Sequence, residues 1–532
     1  MKSRAIFIPA FCCLYFILIG FLLIPYAGFQ HDEVLFAQPI FQRGLTFYSY
    51  KIGYRLIPMM VNSYLGTLKT WIFWPIFKVW HPSVYSLRVP ALLAGAASIV
   101  LFWKIMRRAG GERAAIVATV LLATDSMYLL TSVFDWGPVV LQHLLALAAI
   151  LLAIEYHETG SPKLLALSFF LAGLALWDKA LFFWVAAGLA VAGAGLYPNE
   201  IWRRFSLANA SIAIAAFSVG AAPFILYNLH KPNSTLGENA TFSTEGIDDK
   251  IEVAKRTVNS HALFGYIVFD DWVQPPRAPR TALEAASLSL RDSTGVSQKN
   301  AMLWAYGLGL LLAPFAWKTR AWRPMLFALV FSVTGWGLML LTKGAGASVH
   351  HVILLWPMPL MFLALAFSEA SRRPPAKVAI PALGLVVGFF AAGNVLATNQ
   401  YLAQFVRNGP TAVWTNAIYP LSSALMQNHY GEVDGIDWDT IEPLRVLERA
   451  TVPLDSITVE ENHPEQALSK MGRSGIVFLG HVKEREMFPG VDEHLDAIAA
   501  SHGLSKRLIQ TFPDENGRPI FELFQYGGAG NQ

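Results

Sequence analysis

Long apolar runs, broken by short polar stretches, dominate the first three-quarters of the chain. A helix of about 20 mostly apolar residues is long enough to cross the hydrocarbon core of a bilayer. The pattern predicts about eleven spans, near 5–27, 86–106, 114–131, 138–155, 163–177, 179–197, 206–228, 300–316, 323–342, 349–368 and 376–397. The first run is too long for a signal peptide and has no small-residue cleavage site after it, so it reads as a retained span. Only Trp177-Asp178-Lys179 separates the fifth from the sixth.

Between and beyond these runs the pattern changes. In the long first loop, 28–85, the stretch Tyr54 to Trp80 is apolar but has no run long enough to span. It predicts helices lying in the plane of the membrane interface. In the loop 229–299, Asp248 to Lys255 and Gln274 to Lys299 are polar and Pro- or Ser-rich, which predicts mobile segments. After 397 short strand-like runs (Val433 to Trp438, Ser456 to Val459, Gly475 to Gly480, Leu508 to Phe512, Ile520 to Tyr526) alternate with helical ones (Thr440 to Arg449, Pro464 to Met471, Asp492 to Ser501). Such alternation predicts an α/β layer domain. The fold class is therefore mainly α: a polytopic membrane helix bundle over 1–397, with a small α/β soluble domain over 398–532.

Composition agrees, since 54% of the 532 residues are hydrophobic and only 15% are charged. A soluble chain of this length needs more charge to cover its surface. The formal charge of +4 is small and dispersed, which argues against a nucleic-acid partner. The two cysteines, Cys12 and Cys13, are adjacent within the first span and cannot staple a loop.

Charge also orients the bundle. With the N-terminus in the cytoplasm, four basic clusters fall on the cytoplasmic side: Lys104, Arg107, Arg108 and Arg113; Arg203 and Arg204; Lys318, Arg320 and Arg323; and Arg372, Arg373 and Lys377. This is the pattern of the positive-inside rule. The long loops and the tail are then extracytoplasmic. Small residues in the spans suit a bacterial inner (plasma) membrane.

Ionisable residues at membrane depth are costly, so each invites a functional reading. On this topology they gather at the outer interface: Asp32 and Glu33 after the first span, Asp125, Asp135, Asp178 and Lys179, and Lys343, His350 and His351 before the tenth. Each also has a plainer reading. Asp32 and Glu33 suit ordinary interfacial polarity, and Asp135 before Pro138 suits a helix cap. Asp178 and Lys179 suit a turn whose charges compensate. The adjacent His350 and His351 lack the i, i+4 spacing of metal ligands on a helix. The sequons at Asn233 and Asn239 are common by chance. No Walker A, HExxH or dinucleotide-binding glycine pattern occurs.

The first span followed by His31-Asp32-Glu33 resembles the opening of the GT-C membrane glycosyltransferases, specifically the protein O-mannosyltransferase and aminoarabinose transferase group (glycosyltransferase family 39 type). Tyr85-Ser86-Leu87-Arg88-Val89-Pro90-Ala91-Leu92 is similar to that family's stretch entering the second span. Phe134-Asp135-Trp136 falls where those enzymes carry a second loop acid, and His350 to Pro359 resembles their late-span segment. The resemblance covers about the first 400 residues. The family's Lys-Pro-Pro motif in the first loop is missing, and Lys51, Arg55 and Lys69 are the nearest stand-ins.

The resemblance implies an inverting transfer of a sugar from a polyprenyl-phosphate carrier to an extracytoplasmic acceptor. Asp32 is then the general base, with Glu33 orienting it or binding the acceptor. Asp135 is a second acid that holds the acceptor or a divalent metal ion. Lys69, Arg55, Lys343, His350 and His351 are the candidates for binding substrate, chiefly the departing phosphate. Membrane lipid is the remaining partner. Two other classes compete: a secondary transporter, which would show repeated halves and midplane charges, and a non-catalytic membrane scaffold. No internal repeat is found.

Overall fold

The computed structural model describes residues 4–42, 44–235, 237, 240–295, 297–456 and 464–528. Each of the eleven apolar runs is helical. By length and apolarity five are single candidate spans: Phe7–Tyr26, Val84–Gly110, Val139–Thr159, Trp322–Leu340 and Ala376–Asn408. Four more arise when helix pairs bent at short breaks are each taken as one. Pro162–Asp178 and Met302–Leu312 occupy the remaining two runs as shorter helices. The protein is thus a multi-pass membrane protein with five to nine candidate spans by these criteria among the described residues.

Helix faces follow the solvent. Phe7, Phe11, Ile214, Val219, Leu385 and Phe389 are exposed where lipid is the surrounding medium. Inside the bundle, close approach depends on small residues, as expected where lipid removes the hydrophobic drive. Helices Pro162–Asp178 and Leu207–Gly220 meet at Gly173 and Gly220, where an added Cβ would lie 2.3 Å from the carbonyl oxygens of Phe217 and Phe170 respectively. Asp125 occupies the 56° break between Glu112–Thr124 and Ser126–Val133. Its carboxylate accepts from the Tyr128 N–H at 2.8 Å and from Trp356 Nε1 at 3.1 Å. That acid is a helix cap.

The loops are more ordered than their composition suggests. Tyr54 to Met60 is not helical: strands β1 (Tyr48–Ile52) and β2 (Arg55–Met60) form an antiparallel hairpin with Tyr50 opposite Ile57. Gly53, at φ 59°, supplies the turn. Within Tyr54 to Trp80 only Leu68–Val79 is a helix. The predicted mobile segments also form helices, Ile247–Val258 and Ala282–Thr294. Lys250 Nζ fixes the former by donating to the Thr342 carbonyl at 2.6 Å. Thr281 caps the latter, and Asn399 of the last span donates to its Ser287 carbonyl at 3.0 Å.

The tail alternates as its pattern predicts. Strands β3 (Glu432–Gly435), β4 (Leu454–Ser456), β5 (Ile476–His481), β6 (Leu504–Pro513) and β7 (Pro519–Gly528) form one sheet in the order β4-β3-β5-β7-β6. β3 runs parallel to β4 and β5, and β7 antiparallel to β5 and β6. The rest of the expected strand Ser456 to Val459 lies outside the described residues. A strap at 409–417 joins this domain to the bundle and crosses the chain just after the first span. There the Gly28 N–H donates to the Trp414 carbonyl at 2.7 Å. A Cβ on Gly28 would sit 1.9 Å from the Thr415 oxygen, so only glycine fits the crossing.

Candidate functional site

Gln30 accepts the Glu33 N–H at 3.0 Å and so starts the one-turn helix His31–Val34. This turn sends its two acids in different directions. Glu33 goes inward. Arg88 Nε and Nη2 donate to its two carboxylate oxygens at 2.8 Å each, with both side chains buried. The remaining Arg88 N–H groups donate to the carbonyls of Ile24, Ala27 and Gly28, and the guanidinium lies 4.8 Å from the Phe134 ring centroid. Both Glu33 oxygens are committed. Its placement corrects the expectation that Glu33 orients Asp32 or binds an acceptor: it is an internal staple.

Asp32 turns the other way and is half-buried. Burial raises its carboxyl above the usual 3.8, while the charges of His31 and Lys179 and a hydrogen bond from Gln30 pull it back. Lys179 is buried at 1% exposure, in the break between two spans. A strand-like bridge holds its backbone there. Leu65 pairs with Lys179, the Ala180 N–H donates to the Tyr64 carbonyl at 2.9 Å, and the Gly66 N–H to that of Asp178 at 3.1 Å. Lys179 Nζ has no hydrogen-bond partner among the described residues, nor does either Asp178 oxygen. No hydrogen bond joins the turn's two charged groups, although they lie near enough to interact. A buried ammonium without a hydrogen bond is costly, and the carboxylates of Asp135, Asp178 and Asp32 lie near enough to favour its charge.

Lys69 and Asp135, assigned separately from sequence, pair with one another. Lys69 Nζ donates to Asp135 Oδ2 at 2.9 Å and lies 4.3 Å from the Phe36 ring centroid. Asp135 Oδ1 accepts the Val139 and Val140 N–H groups at 2.8 and 3.3 Å, so the acid also caps the helix Val139–Thr159. The two histidines stack edge to face, 4.3 Å between centroids. His350 Nδ1 accepts from Trp136 Nε1 at 2.9 Å. His351 lines a cavity of about 220 Å³ together with Lys343, Tyr64, Thr235 and Trp184. Lys179 immediately precedes the lining residue Ala180. Arg55 is not part of this group. It is exposed beside the turn of the hairpin, next to the Tyr54 ring.

The tail closes on the motif from the other side. Asp439 accepts the His31 N–H, the His31 Nδ1 lies 3.1 Å from Glu442 Oε2, and the His31 and Trp438 rings are 5.0 Å apart. Burial opposes a charge on His31, but the bond to Glu442 and the charges of Glu442 and Asp32 together raise its pKa above 6.5.

Residues 67–227 match the family of dolichyl-phosphate-mannose-protein mannosyltransferases. The whole chain is similar in structure to ArnT from Cupriavidus metallidurans bound to undecaprenyl phosphate, with a TM-score of 0.59 and 11% identity over 98% of both chains. It is also similar to the mycobacterial arabinofuranosyltransferase AftD, with a TM-score of 0.54 and 16% identity over 98% of this chain and 40% of that one. A third likeness is to the Archaeoglobus fulgidus oligosaccharyltransferase in complex with Zn and sulfate, with a TM-score of 0.54 and 10% identity over 98% and 73%. No curated protein matches the chain in sequence. The chain thus shares the fold of these membrane glycosyltransferases, and its residues 67–227 match the mannosyltransferase family.

The GT-C fold and its domain bear out the resemblance read from His31-Asp32-Glu33. Asp135 already accepts from Lys69 and from the Val139 N–H, and among the described residues it belongs to no group of acids or histidines close enough to share an ion. Among the described residues one acidic trio, Glu432, Asp434 and Asp455, has ligand atoms within 4.8 Å of one another. Lys470 Nζ already occupies that trio at 2.7, 2.5 and 2.8 Å, so an ammonium does there what a cation would. Sequence reasoning passed over Lys179 as a compensated turn, although its position between two spans was the signal. It missed Asp439 and Glu442 because nothing local ties a tail loop to a residue some four hundred positions earlier.

Proposed function

We propose that this protein is an inverting glycosyltransferase that moves a sugar from a polyprenyl-phosphate carrier to an acceptor outside the cytoplasm. The observation that carries the reading is the half-buried Asp32 near Lys179, which has no hydrogen bond among the described residues, beside a cavity lined by Lys343 and His351. In the single displacement, Asp32 takes the proton from an acceptor hydroxyl as its oxygen attacks the anomeric carbon of the sugar. The bond from that carbon to the phosphate oxygen breaks, and the phosphate leaves with the electron pair. Lys179, Lys343 and His351 hold the leaving group, which needs positive charge in the transition state. Lys69 acts one step back by fixing Asp135 and the loop that carries Trp136. A membrane-embedded donor accounts for acids at the edge of the bilayer and for the lack of a nucleotide-binding pattern. The basic clusters support a cytoplasmic Arg372 and an extracytoplasmic Asp32 and tail.

The test is transfer by purified protein from a polyprenyl-phosphate sugar, with the sugar identified by mass spectrometry. Asp32→Asn should slow turnover about 10²–10⁴-fold while leaving undecaprenyl phosphate binding intact. A fully active Asp32→Asn protein would end the assignment. Lys179→Met, Lys343→Met or His351→Ala should weaken donor use by roughly 2–4 kcal/mol. In cells, outside labelling should reach Ser456→Cys and miss Arg372→Cys; the reverse pattern would invert the topology.

A further inference from the structure

The first loop carries a surface that the transfer chemistry leaves unused. At the free end of the β1–β2 hairpin, Tyr50, Ile52, Tyr54 and Leu56 are 37, 56, 87 and 50% exposed. The register fixes which way they face. Ile52 opposes Arg55, and Lys51 opposes Leu56, so partners in each pair project to the same side. Each face of the hairpin thus ends in one large apolar side chain and one cation, with Tyr54 at the turn between them.

A protein partner laid against a sheet covers one face. A hairpin end that is apolar and cationic on both faces suits immersion in a medium that surrounds it. Its position fits a membrane surface. Tyr48 and Tyr50 stack against His230, with ring centroids 5.8 and 6.3 Å apart. His230 ends the helix Ala222–His230, which is bent by 73° against Leu207–Gly220 and forms one candidate span with it. The apolar run 206–228 stops two residues before His230, which puts the hairpin at the end of that span. The charge is one-sided too: from Val34 to Gly111 the chain contains no Asp or Glu, while the loop carries Lys51, Arg55 and Lys78 among its cations.

We propose that this hairpin end is a membrane-inserting element, with Ile52, Tyr54 and Leu56 in the headgroup layer and Lys51 and Arg55 on the phosphates of anionic bilayer lipids. Tyr is well suited to such an interface because its ring is apolar and its hydroxyl wet. The anchored end is mechanically continuous with the site. β2 leads to Met59, whose carbonyl accepts Trp177 Nε1 at 2.8 Å, and on to Leu65, the partner of Lys179.

The experiment needs no activity and no polyprenyl lipid, so its outcome is separate from that of the proposed function. Full-length protein with Cys12→Ser and Cys13→Ser receives an environment-sensitive fluorophore at Tyr54→Cys, or at Ser501→Cys in the tail domain as a control. Each is placed in nanodiscs of phosphatidylcholine and phosphatidylglycerol. The label at 54 should be quenched severalfold more by headgroup-borne nitroxide than the control and severalfold less by aqueous iodide. Adding Lys51→Gln and Arg55→Gln should lower the lipid quenching, and unchanged quenching overturns the role given to the two cations. Iodide quenching equal to the control overturns insertion. So does protection from both quenchers with cross-links between copies, which would make the occupant a second molecule of this chain.

Discussion

Arg88 and Glu33 meet through two hydrogen bonds of 2.8 Å where neither side chain reaches solvent. The same guanidinium holds three carbonyls at the end of the first span. Through this one residue the start of Val84–Gly110 fixes the direction in which His31-Asp32-Glu33 leaves the membrane.

Removing one partner of such a pair strands a buried charge. Arg88→Met should therefore destabilise the protein by about 3–5 kcal/mol. Combining it with Glu33→Gln should recover part of the loss. Thermal unfolding of the purified variants in one detergent gives the comparison, and additive losses would show that the pair is not coupled.

Lys69 and Asp135 should behave as a unit. The double variant Lys69→Met, Asp135→Asn should fall short of the summed single effects by about 0.5–3 kcal/mol in stability or transition-state energy. Asp135→Ala should cost about 1 kcal/mol more than Asp135→Asn, since only the amide can still cap Val139–Thr159. Unfolding curves for the four variants resolve both effects.

In its proposed role as general base, Asp32 must be ionised. Burial raises its carboxyl above 3.8, so transfer should fall on the acid side through an apparent pKa higher than that of an ordinary aspartate. The charge of Lys179 lowers the same group. Lys179→Met should therefore move the acid limb to still higher pH, besides weakening donor use. Rate profiles of both proteins against pH decide it, and a limb that does not move would separate Lys179 from Asp32.

The contact between tail and motif should also depend on pH. The folded pKa of His31 is raised, so its contribution is full below 6.5 and is lost as pH rises through the higher folded value. The folded pKa of Glu442 is lowered, so its contribution is full above 4.5 and is lost as pH falls through the lower folded value. The stability lost in Glu442→Gln should be greatest between 4.5 and 6.5 and should shrink in alkaline buffer. Melting temperatures of both proteins across that range give the answer.

Helix positions were legible because apolar runs of spanning length have few other solutions, and the strand-helix alternation of the tail was legible for a similar reason. The hairpin was not. Tyr54 to Met60 is as apolar as an interfacial helix, and what decides against a helix is pairing with Tyr48–Ile52, a contact that local composition does not encode. Ile247–Val258 and Ala282–Thr294 are polar enough to pass for mobile, yet bonds from Lys250 and Asn399 hold them. In the site, Asp32 stood out through its place after a span. Glu33, its neighbour, looked equivalent until Arg88 separated them. Asp135 was both things its position allowed, a cap and an ion-pair partner.

The crossing of Gly28 by the strap at Trp414 and Thr415, and the docking of Asp439 on His31 across a separation of 408 residues, have a consequence for biosynthesis. At elongation rates of about 5–20 residues per second, roughly 20–80 seconds pass between synthesis of His31-Asp32-Glu33 and of the loop that covers it. During that interval the nascent chain holds an acid motif with one wall missing, already inserted beside lipid. The covering loop arrives with only about the last sixth of translation still to come. A ribosome that stops early thus leaves a bundle in which Asp439 never docks on His31.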